Sequence, residues 1–148
     1  MLRIAVPNKG ALSEAAQTML KEAGYRQRRD SKELVVVDSE NSCELFFLRP
    51  RDIAVYVGEG TLDAGITGRD MLFDSGAPAE EVMPLGFGRS TFRFASAPGA
   101  HSGVTDLSGL RIATSYAGLL GKHLADQGVG VVEEVRLHAA GDQQGHPH

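Results

Sequence analysis

The chain has 148 residues, 42% apolar and 23% charged, a balance that suits a soluble globular protein of one domain or two small lobes with a real core. Its formal net charge of −4 leaves no basic excess to release counterions from a phosphate backbone, which excludes a nucleic-acid-binding surface. Cys43 is the only cysteine, so an intrachain disulfide is excluded and a reduced, cytoplasmic setting is expected; no segment approaches the ~20 apolar residues of a membrane span, and the N-terminus lacks a signal-peptide pattern.

Leu2–Val6 is predicted as a buried strand. From Leu12 the apolar positions fall at Ala15, Ala16, Met19, Leu20 and Ala23, the one-faced spacing of a helix on a core, with Ser13 as a candidate cap and Gly24 as its stop. Leu34–Val37 and Glu44–Leu48 are β-branched or aromatic runs, predicted as strands joined by a turn over Asp38–Ser42. The basic cluster Arg26-Gln27-Arg28-Arg29, followed at once by Asp30 and then Glu33, reads as a solvated face. Pro50 suits the first position of a helix carrying Ile53, Ala54 and Val57, Ala64–Thr67 is a fourth strand, and Arg69–Ser75 a short helix ended by Gly76. The order β-α-β-β-α-β-α indicates an α/β layered sheet.

The character changes at LGFGRSTFRFASA, where two glycines precede a predicted strand, Thr91–Ala97. This pattern predicts a hinge and a second lobe: a loop over Pro98–Gly103, a strand Leu110–Thr114, a helix Leu119–Gln127 and a final strand Val129–Leu137. LRIAVPNKGAL at Leu2–Leu12 and LRIATSYAGLL at Leu110–Leu120 agree at six of eleven positions without a gap. Either LRIA is simply a good strand sequence, or two similar lobes each present a strand-to-helix loop at a shared cleft.

Three loops lie at predicted strand C-termini and precede helices: Pro7-Asn8-Lys9-Gly10, Thr67-Gly68-Arg69-Asp70 and Thr114-Ser115-Tyr116-Ala117. Ligands of open α/β sheets bind at such ends, and helix N-termini favour anions. Lys9 adds a charge, Arg49 a planar guanidinium suited to phosphate, and Thr114, Ser115 and Tyr116 hydroxyls, with Tyr116 also able to stack on a base. Together they describe a cleft for a phosphorylated, nucleotide-like ligand. Singly, Lys9 and Arg49 are ordinary surface charges and Asp70 an ordinary first-turn helix acid. Neither GxGxxG after a strand nor GxxxxGK[ST] is present, no Ser-His or Cys-His set suggests a nucleophile, and the histidines and acids lack metal-ligand spacing.

The stretches RIAVPNKGALSE, FFLRPRDIAVYVGEGTLDAGITGRD, LGFGRSTFRFA and LRIATSY, in order from residue 1 to about 137, strongly resemble the ATP phosphoribosyltransferases. GITGRD together with LRPRDI makes the resemblance specific. It implies a two-lobed, periplasmic-binding-protein-like α/β fold with a first lobe at 1–88 and a partial second lobe at 89–137. It implies transfer of a 5-phosphoribosyl group from phosphoribosyl pyrophosphate to N1 of ATP, with Mg²⁺ accompanying the pyrophosphate, and an oligomer of like subunits. Carried over by motif, Lys9, Gly10 and Arg49 would contact phosphates, and Asp70 with the Gly68 backbone would hold the nucleotide. Ser90 would sit at the inter-lobe crossing, and Thr114, Ser115 and Tyr116 would line the facing lobe.

The resemblance is expected to stop at Leu137. Residues 138–148 show no apolar periodicity and read as a disordered tail, where family members continue into the main phosphoribosyl-pyrophosphate loop. Gly118 and Gly121 stand where the family carries a larger residue and a basic one. The expectation is a truncated relative with an incomplete second lobe and impaired transfer. The alternatives are a non-catalytic nucleotide- or phosphate-binding fragment, or an interaction module of a longer homologue.

Overall fold

The computed structural model describes residues 1–88, 95–100 and 103–129, and the backbone of 133–136. The chain divides into two compact units, Met1–Ser90 and Thr91–His148.

The first unit runs β1 (Leu2–Pro7), α1 (Ala11–Glu22), β2 (Val35–Asp38), β3 (Cys43–Leu48), α2 (Pro50–Gly58), β4 (Ala64–Gly65) and α3 (Arg69–Ser75). Its sheet has the order β2-β3-β1-β4. β1 is central and parallel to both neighbours, with Pro7 opposite Leu48 and Ala5 opposite Gly65, while β2 pairs antiparallel at the edge. Because side chains alternate along a strand, each strand feeds two cores. Val6, Leu45, Phe47 and Ile66 pack with Ala16 and Leu20 of α1 on one face. Ala5 packs with Ile53 of α2 and Leu62 on the other, with Phe46 and Leu48 against them.

Several boundaries differ from the sequence reading. Ser13 does not cap α1. The helix starts two residues before it, behind Gly10, and Ser13 is buried with its Oγ accepting from Gln17 Nε2 at 2.7 Å. Asp38 belongs to β2 and is buried, its carboxylate accepting from the Arg26 N–H at 2.8 Å and from Asn41 Nδ2 at 2.9 Å. β4 keeps only Ala64 and Gly65 of the predicted Ala64–Thr67, since the chain leaves the ladder once the Ile66 N–H has bonded to the Ala5 carbonyl at 3.0 Å.

The second unit contains a single 3₁₀ turn, Val104–Leu107, which the sequence did not suggest, then β5 (Arg111–Thr114), α4 (Ala117–Asp126) and β6 (Glu133–Arg136) among its described residues. β5 and β6 pair in parallel, and α4 buries Ala117, Leu120 and Leu124. Of the predicted strand Thr91–Ala97, residues 91–94 lie outside the described residues, and 95–97 are not strand. The predicted tail, 138–148, also lies outside them. The repeated LRIA segment is a strand followed by a helix in both units, but the loops differ: Gly10 precedes α1, whereas Gly118 lies inside α4.

Candidate functional site

Parallel pairing of β3, β1 and β4 brings their C-terminal ends to one edge of the sheet. The Asn8 N–H donates to the Leu48 carbonyl at 2.8 Å, which ties the loop after β1 to the end of β3. Lys9 and Gly10, Arg49, and Gly68 with Asp70 therefore emerge from neighbouring strands on that edge, and each set begins a helix.

Gly10 has φ 88° and ψ −179°, a conformation essentially confined to glycine, and it turns the chain sharply into α1. Lys9 beside it is exposed. The first-turn N–H groups of α1 have no carbonyl to meet within the helix, and they add a partial positive charge near the lysine. Arg49 is the residue before α2, with Pro50 at the first helical position, and its exposed guanidinium meets Asp52 at 3.0 Å. Gly68 precedes α3, and a side chain there would collide with the Asp70 carboxylate. Asp70 Oδ1 also accepts from the Met71 N–H at 2.9 Å, so this carboxylate does serve as a first-turn acid. Arg69, between them, is committed elsewhere: it grips Glu81 with two hydrogen bonds of 2.7 and 3.0 Å, which hold the Glu81 carboxyl below the ordinary carboxylate range.

One residue of this edge escaped the sequence reading, and two others belong to loops it named without a role of their own. Arg28, assigned to a solvated face, is half-buried; its Nη2 donates to the Asn8 carbonyl at 2.7 Å and its Cζ lies 4.5 Å from the Phe47 ring centroid. The Asn8 Oδ1 and Thr67 Oγ1 atoms are buried with no hydrogen-bond partner among the described residues. Such atoms are costly in a closed interior and are commonly met at sites that take a ligand. Nothing local in RQRRD marks Arg28, because its partner lies twenty residues away.

In the second unit Thr114, Ser115 and Tyr116 connect β5 to α4, and all three are half-buried. The Thr114 Oγ1 accepts from the Tyr116 N–H at 2.9 Å, which sets the turn into the helix. Ser90 lies outside the described residues.

The first unit's edge thus offers Lys9, Arg28 and Arg49 as cations, helix N–H groups as donors, and two carboxylates, Asp70 and the Asp52 that pairs with Arg49. This set suits phosphate groups with a neighbouring polar moiety. Among the described residues no three His, Cys, Asp or Glu side chains gather where they could hold a metal ion. No described helix is long and apolar enough to cross a membrane.

The HisG family, ATP phosphoribosyltransferase, matches residues 49–140. An ATP phosphoribosyltransferase of Streptomyces avermitilis is 67% identical over 129 residues, covering 87% of this chain and 45% of the relative. That of Paenarthrobacter aurescens is 66% identical over 140 residues, covering 95% and 49%. The chain spans about half the length of these relatives. The fold is similar to a chain in the ATP phosphoribosyl transferase (HisG:HisZ) complex from Thermotoga maritima, with a TM-score of 0.67 and 23% identity over 95% of this chain and 66% of that one. With a family match across more than half of its residues, and relatives this similar, the chain belongs to the ATP phosphoribosyltransferase family.

Proposed function

We propose that the chain binds the substrates of an ATP phosphoribosyltransferase and takes part in the first step of histidine biosynthesis. The 5-phosphoribosyl group of phosphoribosyl pyrophosphate passes to N1 of the adenine of ATP. The bond from C1′ to N1 forms as the bond from C1′ to the pyrophosphate oxygen breaks, and pyrophosphate leaves with the electron pair. The anomeric carbon becomes cation-like while negative charge gathers on the leaving group. Catalysis therefore rests on alignment and charge neutralisation, with no protein nucleophile.

In this reading Lys9, Gly10 and Arg49 receive phosphate groups, and Asp70 with the Gly68 backbone holds the nucleotide. Ser90, Thr114, Ser115 and Tyr116 also contact the substrates. Mg²⁺ enters as part of the pyrophosphate substrate and offsets its charge; the cationic edge of the first unit suits phosphates that bring their own cation. The two units correspond to the lobes of a periplasmic-binding-protein-like fold in a cytoplasmic protein that assembles with like subunits.

The observation that carries the proposal is the arrival of three strand-to-helix loops, bearing Lys9, Arg49 and Gly68–Asp70, at one sheet edge in a chain of this family. The test is to incubate the purified chain with ATP, phosphoribosyl pyrophosphate and Mg²⁺, and to measure phosphoribosyl-ATP and, separately, ATP binding by calorimetry. Product assigns the transfer to this chain. A second reading is favoured by the chain's spanning about half of its relatives: saturable ATP binding without product would limit it to the binding share. Neither binding nor product would overturn both readings.

A further inference from the structure

We propose that Arg28 is a phosphate-binding residue of the same edge, contacting a polyphosphate group of the substrate with the N–H donors it does not use internally. This deepens the function proposed above and rests on it.

The guanidinium is held from three sides. Its Nη2 donates to the Asn8 carbonyl at 2.7 Å, its Nη1 to the Ser31 carbonyl at 3.4 Å, and its plane lies over Phe47 with Cζ 4.5 Å from the centroid. Phe47 is the next-to-last residue of β3 and Asn8 follows the end of β1, so the cation stands at the peptide that leads into Lys9. A guanidinium carries five N–H donors, and these two bonds leave three.

Arg3, Arg29, Arg49, Arg51 and Arg69 each have a carboxylate partner, whereas Arg28 has none among the described residues; Arg26 and Arg111 have none there either, but both are exposed. A half-buried cation facing only carbonyls and an aromatic ring is poorly compensated for its lost hydration. Stacking and two carbonyl bonds fix the guanidinium, so little entropy remains to be lost when an anion arrives.

The alternative is that Arg28 only staples the loop. Inorganic pyrophosphate titrated into the chain by calorimetry, at two ionic strengths, separates the two roles. Arg28→Met keeps an apolar group over Phe47 and removes the charge; Arg26→Met, next to it but off the edge, is the control. The expected result is at least tenfold weaker pyrophosphate binding by Arg28→Met, with a flatter salt dependence, partial recovery in Arg28→Lys and wild-type affinity in Arg26→Met. Equal affinity in Arg28→Met and wild type overturns the assignment, as does an equal loss in Arg26→Met. If Arg28→Met fails to fold, Arg28→Lys decides: fivefold or greater weakening with an unchanged melting temperature supports the proposal, and wild-type affinity overturns it. A wild-type chain that binds ATP but no pyrophosphate overturns the Arg28 assignment and leaves the nucleotide part of the proposed function standing. A chain that binds neither overturns both.

Discussion

The carboxylate of Asp70 lies against the Cα of Gly68, in the space that any side chain on Gly68 would occupy. The obstacle is the end of a side chain, which can rotate, so Gly68→Ala should fold normally while displacing Asp70. If Asp70 holds the nucleotide, Gly68→Ala and Asp70→Ala should weaken ATP binding to a similar extent, and the double variant should be no weaker than either. Additive losses in a double-mutant cycle would show that the two residues act separately.

Lys9 and Arg49 sit on neighbouring strand ends joined by the Asn8-to-Leu48 hydrogen bond. A charge-assisted bond to phosphate contributes roughly 1.5–3 kcal/mol, so Lys9→Ala and Arg49→Ala should each weaken ATP binding by about 10- to 100-fold. Calorimetry at low salt checks this, and full retention of affinity would remove the residue from the site.

Gly65 lies where Ile53 and Val57 of α2 pack closely on the sheet. A Cβ there would stand 2.6 Å from Ile53 Cγ2 and 3.2 Å from Ala5 Cβ, both fully buried. Gly65→Ala should therefore destabilise the first unit by about 1–3 kcal/mol through overpacking, read as a lower urea midpoint. Ile53→Ala removes the Cγ2 atom in the way, so its cost and that of Gly65→Ala should be less than additive in the double variant.

Asp38 should set part of the acid limit of the fold. Hydrogen bonds from the Arg26 N–H and from Asn41 hold its carboxyl below the ordinary carboxylate range. The unfolded chain therefore binds this proton at a higher pH than the folded one. The stabilisation is present above about pH 4 and is lost as the pH falls through the folded value. Asp38→Asn should be less stable than wild type at pH 7, with the difference shrinking on acidification. Urea melts from pH 7 down to pH 3 check the slope.

Much of the fold was legible in the chain because its signals are local. The β-branched and aromatic runs of β2 and β3, Pro50 at the first turn of α2 and Gly76 after α3 each carry their meaning within a few residues. Lys9, Arg49 and Asp70 were visible because a charge following an apolar strand is conspicuous. Ser13 misled because Gly10, through its backbone conformation alone, starts α1 earlier and leaves the serine on the buried face. Arg28 misled because a run of basic residues looks solvated until β3 brings Phe47 beneath it, a contact spanning nineteen positions that no local pattern encodes.

The central place of β1 has a consequence for how the chain comes off the ribosome. It is the first strand made, yet both of its hydrogen-bonding partners come later: β3 ends at Leu48, and β4 at Gly65. Until they emerge, Ile4 and Val6 have no ladder to join, and the parallel pairings that receive them close long stretches of chain. The loops that carry Lys9, Arg49 and Asp70 therefore acquire their mutual positions together, late in the synthesis of this unit. A nascent chain halted before Gly65 would hold two of the three strand-to-helix loops and an unfinished sheet edge.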